Sequence, residues 1–220
     1  RGENPMRSAV NFKQARHHWI QLFRLLRIKQ KFPVVVFVFS KKRCVELTDN
    51  LKSEDYTTKR EKSRIHVFIQ KCLERIPEHD RNLPQIQFVS ELLKRGIAVH
   101  HGGLLPILKE MTEILFAKGF IRILFATETF AMGINMPTRT VVFSSVSKHD
   151  GTQFRHLLPG EYTQMSGRAG RRGLDSVGTV IINNWKPNQI NYKKMISGKP
   201  LELVSKFHLT YQTILNIWKQ

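Results

Sequence analysis

VVVFVFSKKRC, residues 34–44, passes from an unbroken run of β-branched and aromatic residues into a serine and three cations that open a helical stretch. A run that is apolar at consecutive positions has no wet face, so it predicts a strand buried on both sides, as in parallel sheets covered by helices. The pattern recurs in IAVHH (97–101), IRILFAT (121–127), TVVFSS (140–145) and GTVIINN (178–184). Helical stretches are expected between them, over 43–51, twice within 65–95, over 105–118 and over 160–169. Strand alternating with helix predicts a three-layer α/β/α domain on a mostly parallel sheet.

That domain is expected over 33–185. Residues 1–32 are basic and carry an amphipathic helix (FKQARHHWIQLFRLLRIKQ), read as an entry linker or a partner contact. Residues 186–220 are read as a connector and a truncated apolar helical extension (LVSKFHLTYQTILNIW). The polar, proline-broken stretch 53–84 reads as a mobile insertion. The balance of 36 Lys+Arg against 17 Asp+Glu, a net +19, favours a polyanionic partner, with nucleic acid first. No segment approaches the length of a membrane span, and the amino terminus lacks the apolar stretch of a signal peptide, so no membrane role and an intracellular location are expected. Cys44 and Cys72 have no zinc-type spacing, and neither a disulfide framework nor a metal is expected.

A parallel sheet gathers the carboxyl ends of its strands on one edge, where open α/β folds hold ligands. Four such ends carry phosphate-compatible chemistry. FSKKRC (39–44) offers Ser40 and Lys41 with Lys42 and Arg43, a run that reads equally as a solvated face. HHGGLLPILKE (100–110) opens a helix behind Gly102 and Gly103, whose exposed amides suit a phosphate. His100 and His101 are adjacent on a strand, point to opposite faces and are not expected to share a metal ion. ATETFAMGINMP (126–137) offers Thr127 as a donor to phosphate and, beyond Gly133, Asn135 as a partner for a ribose hydroxyl; the plain alternative is an ordinary strand-to-helix connection. QMSGRAGRRG (164–173) holds three arginines and three glycines. If its helix continues, Gln164, Arg168 and Arg171 stand along one face, two guanidinium forks beside an amide, as a phosphate clamp would require. A solvated basic turn is the alternative. Each glycine costs a helix about 1 kcal/mol, so Gly167, Gly170 and Gly173 predict a close backbone approach.

Together these segments resemble the second RecA-like domain of superfamily 2 DExH-box RNA helicases, within the superkiller and exosome-cofactor group. FSKKRC resembles motif IV, HHGGLLP the phosphate-contacting turn after it, ATETFAMGINMP motif V and QMSGRAGRRG motif VI. The likeness spans roughly 34–185. FAMGINMP, KHDG (148–151) and LLPGEYTQM (157–165) are more similar to cytoplasmic superkiller members than to nuclear relatives.

The resemblance implies ATP and Mg²⁺ as cofactors, with Gln164, Arg168 and Arg171 facing the γ-phosphate and Gly133 and Asn135 near the ribose. It implies RNA-backbone contacts from Ser40, Lys41, Gly102, Gly103 and Thr127. It implies a first RecA-like domain in cis, RNA as substrate, exosome and superkiller-complex subunits as partners, a cytoplasmic or alternatively nuclear location, and a winged-helix domain beginning after residue 186. The phosphate loop GxxxxGK[ST] and the DExH acid are not in these 220 residues, so this chain alone is expected not to hydrolyse ATP. A non-catalytic RNA-binding or scaffold module and a DNA-unwinding relative are the competing readings.

Overall fold

A computed structural model describes residues 6–133, 136–183, 192–198 and 218. In chain order it contains α1 (Met6–Ile28), β1 (Val34–Phe37), α2 (Lys41–Asp49), α3 (Lys59–Leu73), a 3₁₀ turn (Glu78–Asp80) and α4 (Pro84–Lys94). Then follow β2 (Ile97–His100), α5 (Pro106–Ala117), β3 (Ile123–Ala126), α6 (Thr129–Gly133), β4 (Thr140–Phe143), β5 (Ser147–His149) and β6 (Phe154–His156). The described elements end with α7 (Pro159–Ser166), β7 (Thr179–Ile182) and α8 (Tyr192–Ser197).

The five strands expected from the apolar runs form one parallel sheet in the order β2-β3-β1-β4-β7. Its register is flush. Val34 aligns with Ile123 and Thr140, Ile97 with Ile123, and Thr140 with Thr179. All five carboxyl ends therefore stop at one level, and the loops that leave them share one edge. Every residue of β1 to β4 is buried, as doubly covered strands require.

Aromatic contacts fix the outer layers. Phe125 turns to one face and meets Trp19 and Phe23 of α1 at 6.4 and 6.1 Å between ring centroids. On the other face Phe37 contacts Phe143, Phe143 stacks on Tyr162 of α7 at 5.2 Å, and Phe130 of α6 meets Phe116 of α5 at 6.2 Å. Trp19, Phe23 and Leu26 are spaced on one stripe of α1 and lie in the core, so the amphipathic helix of the basic amino-terminal stretch covers the sheet.

Two expectations are corrected. The stretch 53–84 is not a mobile insertion. Thr58 and Glu61 form a capping box that starts α3, and Ile65 and Ile69, four residues apart, are wholly buried. Many exposed charges masked that narrow apolar stripe. The helix expected over 160–169 ends at Ser166, because Gly167 caps it and Ala169 pairs with Thr138 as an isolated bridge. Arg168 and Arg171 are therefore on a turn and not on the helical face of Gln164. The antiparallel hairpin of β5 and β6 was not expected. Its Asp150-Gly151 turn, with Asp150 Oδ1 accepting the Thr152 and Gln153 amides at 2.9 Å each, carried the signal. In the carboxyl-terminal extension α8 buries Met195 and packs against α7. The apolar tail beyond residue 198 lies outside the described residues, apart from Trp218.

Candidate functional site

Ser40 follows β1 and caps α2, its hydroxyl accepting the Arg43 amide at 3.4 Å; Lys41, Lys42 and Arg43 are exposed around it. Gly102 and Gly103 follow β2 and are exposed. The turn they form is clamped by Gln85 of α4. The Gln85 Nε2 donates to Gly103 O at 3.0 Å, and its Oε1 accepts the Leu105 amide at 2.9 Å. His101 Nδ1 accepts the Gly103 amide at 3.1 Å, which puts the imidazole proton on Nε2. Burial, then the nearby Lys41 and His100, push the His101 pKa below its usual value and keep the ring neutral beside the lysine. A side chain at position 103 would stand 3.2 Å from His101 and 3.5 Å from Lys41 Cδ, so glycine there leaves room for the lysine stem. Thr127 follows β3, takes the His100 carbonyl at 3.1 Å through its amide and pairs its hydroxyl with Thr129 at 2.9 Å. Because β2, β3 and β1 are neighbours, Ser40, Lys41, Gly102, Gly103 and Thr127 stand along one stretch of the edge.

His100 is occupied on the other face. Its Nε2 lies 2.7 Å from Glu113 Oε1, and its ring packs edge-on to Phe130. Among the described residues no group of three His, Cys, Asp or Glu side chains could hold a metal ion.

Residues 164–173 meet the segment after β3. An Arg168 Nη2 hydrogen bond to Ala131 O ties the arginine to α6, two residues before Gly133. The Arg168 carbonyl accepts the Thr138 amide at 2.8 Å, and Gly170 donates to Thr138 O at 2.7 Å. Gln164 is exposed on α7. Asn135 lies outside the described residues.

Arg171 has a partner that the sequence reading did not find. Its Nε and Nη2 reach Asp175 at 2.7 and 3.0 Å, its amide reaches the same carboxylate at 3.1 Å, and Arg139 Nε adds a fourth contact at 3.0 Å. The Arg171 hydrogen bonds, with the charges of Arg171 and Arg139, hold the Asp175 carboxyl down to about 2. The four-residue spacing in RRGLD was the available signal. Asp175 uses the edge of the guanidinium that a phosphate would also take, and Arg171 Nη1 makes no hydrogen bond among the described residues. The arginine fits a phosphate through Nη1, or through its Nε–Nη2 edge once Asp175 lets go.

The close backbone approach expected of these glycines is present at Gly170. Gly170 has φ +91°, and a Cβ there would stand 3.2 Å from the backbone of Gly178. A Cβ on Gly178 would in turn stand 2.4 Å from Ala169 O. The close approach is between the turn and the start of β7, within the chain itself.

Lys148, on β5, joins Glu128 at 2.6 Å and Glu161 of α7 at 2.9 Å, and Arg155 on β6 grips Glu161 through both oxygens at 2.8 and 2.9 Å. Burial works to raise the Glu161 pKa, but the hydrogen bonds from Arg155, the Leu158 amide and Lys148 bring it down to about 2. The hairpin is thus bound to both the β3 end and the helix that leads into residues 164–173.

Known proteins carry the same pattern. The model of the helicase conserved C-terminal domain matches residues 46–173. The antiviral helicase SKI2 of Saccharomyces cerevisiae is 54% identical over 218 residues, covering 98% of this chain and 17% of that protein. Human superkiller complex protein 2 is 56% identical over 206 residues, 93% of this chain and 16% of its own length. The human exosome RNA helicase MTR4 is 50% identical over 186 residues, 84% of this chain and 18% of its own length. The chain therefore spans less than a fifth of each of these relatives. With its parallel sheet, its flush carboxyl edge and these matches, the chain belongs to the helicase conserved C-terminal domain family, as a RecA-like domain of the superkiller and exosome-helicase type.

Proposed function

We propose that this chain is the second RecA-like half of an ATP-driven 3′-to-5′ RNA helicase, with the RecA-like domain over 33–185, a leading segment over 1–32 whose helix packs on it and the start of a further domain after 186. The observation that carries the reading is the joining of two segments at one edge: Arg168 reaches Ala131 beside the β3 end, while Ser40, Lys41, Gly102, Gly103 and Thr127 line the neighbouring strand ends.

In this reading Lys41, the Ser40 and Thr127 hydroxyls and the amides of Gly102 and Gly103 hold the RNA backbone, and base identity matters little. Gln164, Arg168 and Arg171 face the terminal phosphate of ATP across a gap to a first RecA-like domain, with Gly133 and Asn135 towards the ribose. ATP supplies a phosphoryl group whose developing charge the two guanidinium groups neutralise. Mg²⁺ and the phosphates are held mainly by the first domain, and the chain alone hydrolyses no ATP. The relatives named for the superkiller complex and the exosome support those complexes as partners, and the reading takes RNA decay as the setting and the cytoplasm, with the nucleus as the alternative, as the site.

The test joins the chain to the first RecA-like domain of a superkiller relative and measures RNA-stimulated ATPase. Arg168→Ala should lower kcat by about 10³ or more, the range of a lost arginine finger. Normal turnover in that variant refutes the assignment. Loss of RNA binding with intact ATPase would favour a passive binding module, and equal stimulation by single-stranded DNA a DNA-unwinding relative.

A further inference from the structure

The amino-terminal side of β3, opposite the ligand edge, carries a cavity of about 640 Å³. One wall is α3, with Glu61, Arg64 and Phe68; the other is the end of α5 and the turn into β3, with Lys118, Phe120 and Arg122. The cations are already arranged. The Arg64 guanidinium carbon lies 5.1 Å from the centre of the Phe120 ring, and Lys118 Nζ lies 5.4 Å from that of Phe68. Arg122 Nη2 donates to Glu61 Oε1 at 2.7 Å, while Glu61 Oε2 accepts the Thr58 amide at 2.8 Å. Both oxygens of the only acid in the lining are thus committed, and Arg122 neutralises its charge. Arg64 and Lys118 have no carboxylate within ion-pair distance among the described residues.

We propose that this cavity docks a carboxylate-rich segment of a partner protein. A guanidinium laid on an aromatic face keeps its N–H edges free and loses little freedom when it grips a carboxylate. Two cations without a carboxylate partner, held over aromatic rings, complement acidic side chains. RNA fits less well. The faces of Phe68 and Phe120 that a base would stack on are covered by the cations, and the four residues of β3, about 13 Å of strand, separate the cavity from the edge that carries Thr127.

The test is a titration of the 220-residue chain with a short fluorescein-labelled peptide of Glu, Asp and Leu, beside its Gln/Asn counterpart and an oligouridine. The acidic peptide should bind and the amide peptide should not. Arg64→Glu with Lys118→Glu should weaken binding at least about tenfold, whereas Lys29→Glu with Lys52→Glu, the same charge change at exposed positions elsewhere, should change it less than about twofold. If the reversed variant melts below the parent, Arg64→Gln with Lys118→Gln replaces it, with a loss of at least about threefold. Equal losses in the cavity and control variants would reduce the binding to the net charge of the chain and overturn the proposal. Displacement of the peptide by oligouridine whose own binding falls with Arg64→Glu would assign the cavity to RNA and overturn it as well.

Discussion

Asp175 has its side chain almost wholly out of water and accepts from two arginines and a backbone amide. A carboxylate in that position is tolerable only while those donors are present. Asp175→Asn keeps the shape and loses the charge, and should lower stability by about 1–3 kcal/mol, read as a drop in Tm. The folded-state carboxyl lies near 2 against an ordinary 3.8, so its contribution is complete above about pH 4 and lost as pH falls towards 2. The acid limb of the parent's stability curve should therefore flatten in the variant across that window, and an unchanged limb would sink the assignment. The same variant frees Arg171 for a phosphate, so in the two-domain ATPase it should cost far less than Arg168→Ala. Neither Asp175 nor Gln85 was legible as a functional support, because each acts through a partner fixed by a turn and not by a motif.

At the level of elements, strand positions were readable because a strand covered on both faces must be apolar at every position, and that leaves an unambiguous run. The apolar stripes of α1 and α3 were harder to weigh, being a minority of residues on helices that are otherwise charged. Phe23 is wholly buried against Trp19 and Phe125. Phe23→Ala should cost about 3–5 kcal/mol in urea unfolding, whereas a mere linker helix would show almost no change. The hairpin is a contrasting case. Phe154 at the start of β6 is 79% exposed; Val146 and Leu157 anchor the base of the hairpin in the core, and the ion pairs of Lys148 and Arg155 tie its strands to Glu161. The end of α7 shows how a pattern misleads: glutamine and arginine at helical spacing suggest a shared face, but Gly167 ends the helix first.

Across the whole molecule, a net charge of +19 does not translate into one RNA-binding surface. Among the described residues, Lys41, Lys42 and Arg43 are exposed at the β1 end of the carboxyl edge, with Lys41 foremost among them. Single-stranded RNA binding by the chain should weaken with salt, and Lys41→Gln should reduce the slope of log K against log salt by about 0.7, one phosphate contact. Lys52→Gln, away from that edge, should leave the slope as it was; equal effects would make the binding a property of total charge.

By itself the sequence determined the five strands of the sheet, four of them buried at every position, their alternation with helices and the residue types at each strand end, since burial on two faces and the chemistry of phosphate both restrict local composition. Only the tertiary structure decided that those ends are flush, that Arg168 reaches the carbonyl of Ala131, that Arg171 is held by Asp175 and that Arg64 and Lys118 lie over two phenylalanines. These depend on strand register and on where a helix stops. Both are set by contacts between segments far apart in the chain, which no local pattern encodes.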